Sequence, residues 1–104
     1  MTVREILDEA AAALEPAPDV RETADGAVEW SVNGTVFADL DGPEDAVSFR
    51  LDPTLAAAAA RTPDTAGHTR GNPWIVFAPG ELDAHAIDRA VAWFQAAYRR
   101  ALEA

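Results

Sequence analysis

The stretch His68-Thr69-Arg70-Gly71-Asn72-Pro73-Trp74 holds the side chains best suited to do chemistry. An imidazole carries a proton near neutral pH, and a guanidinium two residues on binds carboxylate or phosphate through a fixed fork of donors. Gly71 and Pro73 mark a turn, and Trp74 opens a short apolar run, Trp74-Ile75-Val76-Phe77. Trp30 and Phe37 are the aromatics expected to wall a groove beside it. His68, Arg70, Trp74, Trp30 and Phe37 are therefore the candidate ligand- or partner-binding set. The bland alternative is that His68 bonds the loop backbone, Arg70 pairs with a surface carboxylate and the tryptophans fill a core.

No metal site is expected. His68 and His85 are far apart in sequence and lack an indicated third ligand. Asp39, Asp41, Glu44 and Asp45 cluster around one turn without the regular ligand spacing of a hard-cation loop. The chain carries no phosphate-binding loop, dinucleotide fingerprint or nucleophile elbow. No catalytic residue and no cofactor is assigned, and a small non-enzymatic binding or interaction domain is the expectation.

The elements that must position these residues are read from periodicity. Val28, Trp30 and Val32 alternate with polar residues, and Asn33-Gly34 supplies a two-residue type I′ hairpin turn. That loop predicts Val32 opposite Thr35, Trp30 opposite Phe37 and Glu29 opposite Ala38. Asp41 to Asp45 reads as a second turn, and Val47, Phe49 and Leu51 as a third alternating strand. Val20 to Thr23 reads as a further short strand. Trp74 to Phe77 reads as a strand buried on both faces.

Thr2 to Leu14 reads as a helix, with Thr2 and Glu5 as a capping box and an apolar stripe at 3, 6, 7, 10, 11 and 14. Asp52-Pro53 starts a short helix, and Pro63 to Asn72 reads as loop. Asp83 caps a last helix with its stripe at 87, 90, 91, 94, 97, 98 and 102, which leaves Trp93 off centre. Each long helix has one apolar face. The predicted fold is a single α+β domain over residues 1–104, a two-layer sandwich with a four- or five-stranded antiparallel sheet and both main helices on one face.

Composition bounds the partners. The net charge is -10, and the eight basic residues are all arginine. An acidic surface disfavours nucleic acid, whose affinity comes from basic groups that release counterions. There is no cysteine, so disulfides and thiolate chemistry are excluded. The first helix carries acidic residues where a leader needs an apolar core, and no run reaches membrane-spanning length, so a cytoplasmic setting without a membrane partner is expected. The partner is unknown, and a second copy of the chain is a candidate through Trp93.

In this order the pieces resemble the MmcQ/YjbR family. Trp30 to Ala38 resembles its apolar strand, hairpin glycine and Phe-Ala. Val47 to Leu51 resembles its hydrophobic-x-Leu-Arg strand. His68-Thr69-Arg70-Gly71-Asn72-Pro73-Trp74-Ile75-Val76 resembles its His, Arg-Gly and Pro-Trp-Val segment. The resemblance implies a sandwich similar to the bacterial frataxin-like architecture, and it brings a DNA-binding label through a proposed double-wing arrangement. Thr35 stands where the family commonly has lysine, and this departure and the negative charge both run against that label.

Overall fold

The structure is a computed structural model that describes residues 2–42 and 46–104. The elements in order are α1 (Val3–Ala12), β1 (Asp19–Glu22), β2 (Val28–Val32), β3 (Thr35–Asp41), β4 (Ala46–Arg50), α2 (Pro53–Ala59), β5 (Thr65–Gly67), β6 (Trp74–Phe77) and α3 (Ala84–Glu103). Most of the expected turn from Asp41 to Asp45 falls outside the described residues, as do Glu44 and Asp45 of the acidic cluster.

The helices start where side chains can satisfy their free N–H groups. Thr2 and Glu5 form the reciprocal capping box of α1. Asp52 accepts from the Leu55 N–H with Pro53 in the first turn of α2, and Asp83 accepts from the Ala86 N–H at the start of α3.

The sheet is antiparallel and has six strands in the order β1-β2-β3-β4-β6-β5. The expected four or five strands undercount it. Pro63 to Asn72 is not wholly loop, because Thr65, Ala66 and Gly67 pair with Phe77, Val76 and Ile75. Thr-Ala-Gly has no apolar alternation, so a strand held by backbone pairing alone leaves no trace in the pattern.

Asn33 and Gly34 take φ of 51° and 78°, the hairpin turn the sequence predicts, and Val32 lies opposite Thr35. Beyond that the predicted register fails by one residue. Trp30 lies opposite Ala38 and Glu29 opposite Asp39, because a bulge in β3 inserts an extra residue between Val36 and Ala38. Phe37 and Ala38 are both fully buried as a result. Past the bulge, Leu40 enters the core, and Asp39 and Asp41 move to the opposite face.

The core lies between the sheet and the layer of α1 and α3. Phe94 stands edge-on to Trp30 at 5.6 Å and to Phe37 at 5.2 Å. Tyr98 stacks on Phe37 at 5.8 Å, and its hydroxyl donates to the Pro16 carbonyl. The buried stripe of α3 is rotated from its predicted position. It runs through Ala86, Ala90, Trp93, Phe94, Ala97, Tyr98 and Ala101, while Leu102 is exposed. Trp93 is 8% exposed and packs edge-on against Phe77 at 5.3 Å, so it serves the core. The area of an indole outweighs the smaller Ile87 and Val91, which turn toward α1.

On the opposite face of the sheet Glu29, Ser31, Asp39, Arg50, Trp74 and Val76 all stay partly exposed, and Ser48 is buried. On β6 only Ile75 and Phe77 are buried, while Trp74 and Val76 stay partly exposed, so this strand is buried on one face and not two.

Candidate functional site

The open face of the sheet carries a polar row set by cross-strand register. Arg21 lies opposite Glu29, Glu29 opposite Asp39, Asp39 opposite Ser48, and Ser48 opposite Val76. Arg50 lies opposite Trp74 on the same face. The bulge in β3 is what puts Asp39 in this row.

His68, Arg70 and Trp74 come together here. The Arg70 guanidinium lies 4.1 Å from the centre of the Trp74 ring, and Nη2 bonds Asp39 Oδ2 at 2.8 Å. The Arg70 side chain therefore bridges the Trp74 ring on β6 and Asp39 on β3, with β4 between those strands. Stacking on the indole and pairing with the carboxylate each stabilise the arrangement by no more than about 1 kcal/mol at such a half-exposed position. What they fix is the direction of the fork.

The loop that presents Arg70 is pinned on several sides. The Arg70 N–H donates to His68 Nδ1 at 2.9 Å, the Gly71 N–H to the His68 carbonyl at 2.8 Å, and the Trp74 N–H to the Gly71 carbonyl at 3.0 Å. Leu51 donates from its N–H to the Pro73 carbonyl at 3.0 Å, and Asn72 donates from its side chain to the Pro53 carbonyl at 3.1 Å. His68 bonding its own loop and Arg70 pairing with a carboxylate are the bland alternatives foreseen from sequence, and both occur.

The fold favours the neutral form of His68. Burial lowers its pKa below the ordinary 6.5, the Arg70 charge lowers it further, and the Asp39 charge opposes both. With Nδ1 accepting a backbone N–H, the proton of the neutral ring sits on Nε2. The unfolded chain binds the proton more readily, so this contribution to stability is complete above pH 6.5 and is lost as pH falls through the lower folded value. The His68 ring resonance is expected to titrate with a midpoint below the one measured in urea. A midpoint at or above the urea value contradicts the arrangement.

The other two candidates lie elsewhere. Trp30 and Phe37 are 0% exposed, on the helix side of the sheet against Phe94. They cannot line a groove with His68, because the sheet lies between. The Trp30 indole N–H is a buried donor with no hydrogen-bond partner among the described residues. The residue that sequence reasoning missed is Asp39. Its signal was the polar-apolar-polar run Asp39-Leu40-Asp41, whose parity conflicts with Phe37 facing the core in an unbroken strand.

A cleft of about 280 Å³ adjoins Arg70 and is lined by Asp25, Glu29, Asp39 and Asp41 with Thr23. The Thr23 hydroxyl donates to Asp25 and holds its carboxyl below the usual range. A larger groove of about 500 Å³ lies between α1 and α3, lined by Ile6, Ala10, Ala13, Ile87, Val91 and Glu9. It is apolar apart from Glu9 and offers no chemistry. Among the described residues no group of three or more acidic or histidine side chains is arranged to hold a metal ion, and no helix is long and apolar enough to cross a membrane.

No family model matches the chain, and no curated protein matches it. Among solved structures, a Pseudomonas syringae protein determined as a Northeast Structural Genomics Consortium target is similar, with a TM-score of 0.68 at 14% identity. The match covers 97% of this chain and 99% of that one. The two share an α+β fold over essentially their whole lengths, and at that identity the likeness is one of fold alone.

Proposed function

We propose that the chain is a small non-enzymatic binding domain of the MmcQ/YjbR type, which engages a partner through the open face of its sheet at Arg70 and Trp74. One observation carries this reading. An indole on the open face lies under a guanidinium that a carboxylate two strands away holds in place. Tryptophan and arginine are the side chains that most often dominate binding energy at interfaces. The segment from His68 to Val76, the closest piece of the family resemblance, supplies His68, Arg70 and Trp74 of the site.

The surroundings favour a cationic protein segment as partner. Four carboxylates line the cleft beside Arg70, and the whole chain is at -10. Lysine and arginine side chains meet opposite charge there, while a phosphate backbone meets repulsion. The second reading is the DNA label of the resembled family. It needs Arg21, Arg50, Arg61 and Arg70 to converge on one face; register puts Arg21 and Arg50 on the open face, and Arg70 reaches it through Asp39 and Trp74.

Fluorescence anisotropy separates the two. The probes are a short peptide rich in arginine and tyrosine and a mixed-sequence duplex DNA, each at low and physiological salt. The expected result is peptide binding that weakens about tenfold in Trp74→Ala and in Arg70→Ala, with no DNA binding. Peptide affinity unchanged in both variants removes the open face as the site. DNA binding that falls steeply with salt and is lost in Arg70→Ala establishes the second reading instead.

A further inference from the structure

We propose that the free edge of β1 pairs antiparallel with β1 of a second copy, about a two-fold axis at Val20, so that one sheet runs through both copies. This surface is independent of the Arg70 site. β1 is an outer strand of the sheet, and all four of its residues are exposed. Val20 is 46% exposed, one of two large apolar side chains left so open among the described residues.

Backbone direction and charge select the register. The Thr23 N–H donates to the Ala27 carbonyl at 2.9 Å, directly opposite in the continued ladder. Bonded pairs alternate along an antiparallel ladder, so Arg21 and Asp19 bond inward to β2. The N–H and carbonyl of Val20 and Glu22 therefore point out of the free edge. A second β1 can align only where outward groups face outward groups, which leaves axes at Asp19, Val20, Arg21 or Glu22. Axes at Asp19, Arg21 and Glu22 set a residue against its own copy with like charge, which is destabilising.

The axis at Val20 sets Val20 against Val20 and each Asp19 against the Arg21 of the other copy. Among the described residues no ion pair uses Asp19 or Arg21, although Arg21 lies opposite Glu29 in the sheet. At this axis Arg21 stands between Glu29 and the Asp19 of the second copy. Glu22 stands opposite Pro18, which offers a carbonyl but no N–H, so the pairing ends there. This is an isologous contact, complementary to itself. Four residues make a small interface, below the ~1,200 Å² of stable complexes, so the dimer forms at high concentration.

Sedimentation of the full chain at ~0.15 M salt tests it, over about 10 µM to 1 mM, with long-range repulsion screened beyond about 8 Å. The average mass is expected to rise from monomer toward dimer across that range. Asp19→Arg and Arg21→Asp each weaken association at least tenfold, and the double swap restores it. Val20→Pro removes an outward N–H without touching the ladder to β2 and leaves a folded monomer by circular dichroism. A chain that stays monomeric throughout overturns the proposal. So does a dimer that neither single charge reversal weakens.

Discussion

Phe94→Ala is expected to cost about 3–5 kcal/mol of folding stability. Phe94 is 0% exposed and touches rings from two strands, Trp30 at 5.6 Å and Phe37 at 5.2 Å. It is the wedge by which α3 grips the sheet. Removing it deletes the transfer energy of a phenyl ring and leaves a void between rigid rings that cannot collapse. Much of the remaining core is alanine: Ala86, Ala90, Ala97 and Ala101 of α3 have no side-chain length with which to fill it. A domain of this size has roughly 5–15 kcal/mol in all, so the variant sits near the folding threshold. Urea unfolding measures the loss. Leu102→Ala, on the same helix but exposed, is the control and is expected to change stability by no more than about 0.5 kcal/mol. A loss below about 1 kcal/mol for Phe94→Ala contradicts the described core.

Gly42→Ala is the second large effect, and its cause is backbone contact. A Cβ at residue 42 would stand 2.6 Å from the Gly26 carbonyl oxygen and 3.3 Å from its carbon. The obstacle is main chain and cannot rotate aside. The β1–β2 turn and the end of β3 would have to separate, at a cost of about 1–3 kcal/mol. Gly80→Ala is the matched control, because a Cβ there meets nothing within 4 Å. Comparing the two urea midpoints cancels the general effect of replacing glycine. Equal midpoints contradict the close approach of the two turns. The same turns border the cleft lined by Asp25 and Asp41, so a separation there also alters the acidic wall beside Arg70.

How much of this the sequence discloses depends on which force sets each feature. Helix starts are legible because capping is local: Thr2, Asp52 and Asp83 each cap where their neighbours say they must. The hairpin is legible because Asn33-Gly34 favours one turn type. The sheet of six strands is only partly legible. β1 is short and polar, and β5 is held by backbone pairing that no side-chain pattern records. The rotation of α3 toward Trp93 is a tertiary choice between two overlapping apolar stripes, settled by Phe49 and Phe77 on the sheet.

The candidate site divides the same way. His68, Arg70 and Trp74 are close in sequence and remain close in space. Trp30 and Phe37 were grouped with them by chemical type, and the sheet separates them. Asp39 depends on the bulge, a shift of one residue that exchanges the faces of everything after Phe37. Without it Asp39 would face the helices and Arg70 would have no anchor across the sheet.

With Trp74 and Arg70 as the contact surface, the indole N–H resonances report a bound partner. The chain has three tryptophans, and Trp30 and Trp93 are buried in the core while Trp74 lies on the open face. Titrating the isotope-labelled protein with the arginine- and tyrosine-rich peptide is expected to move the Trp74 signal together with the backbone signals of Asp39 and Arg70. The Trp30 and Trp93 signals stay in place. Shifts confined to α1 and α3, or a bound peptide that leaves Trp74 unmoved, would contradict the account and place the contact on the helix layer.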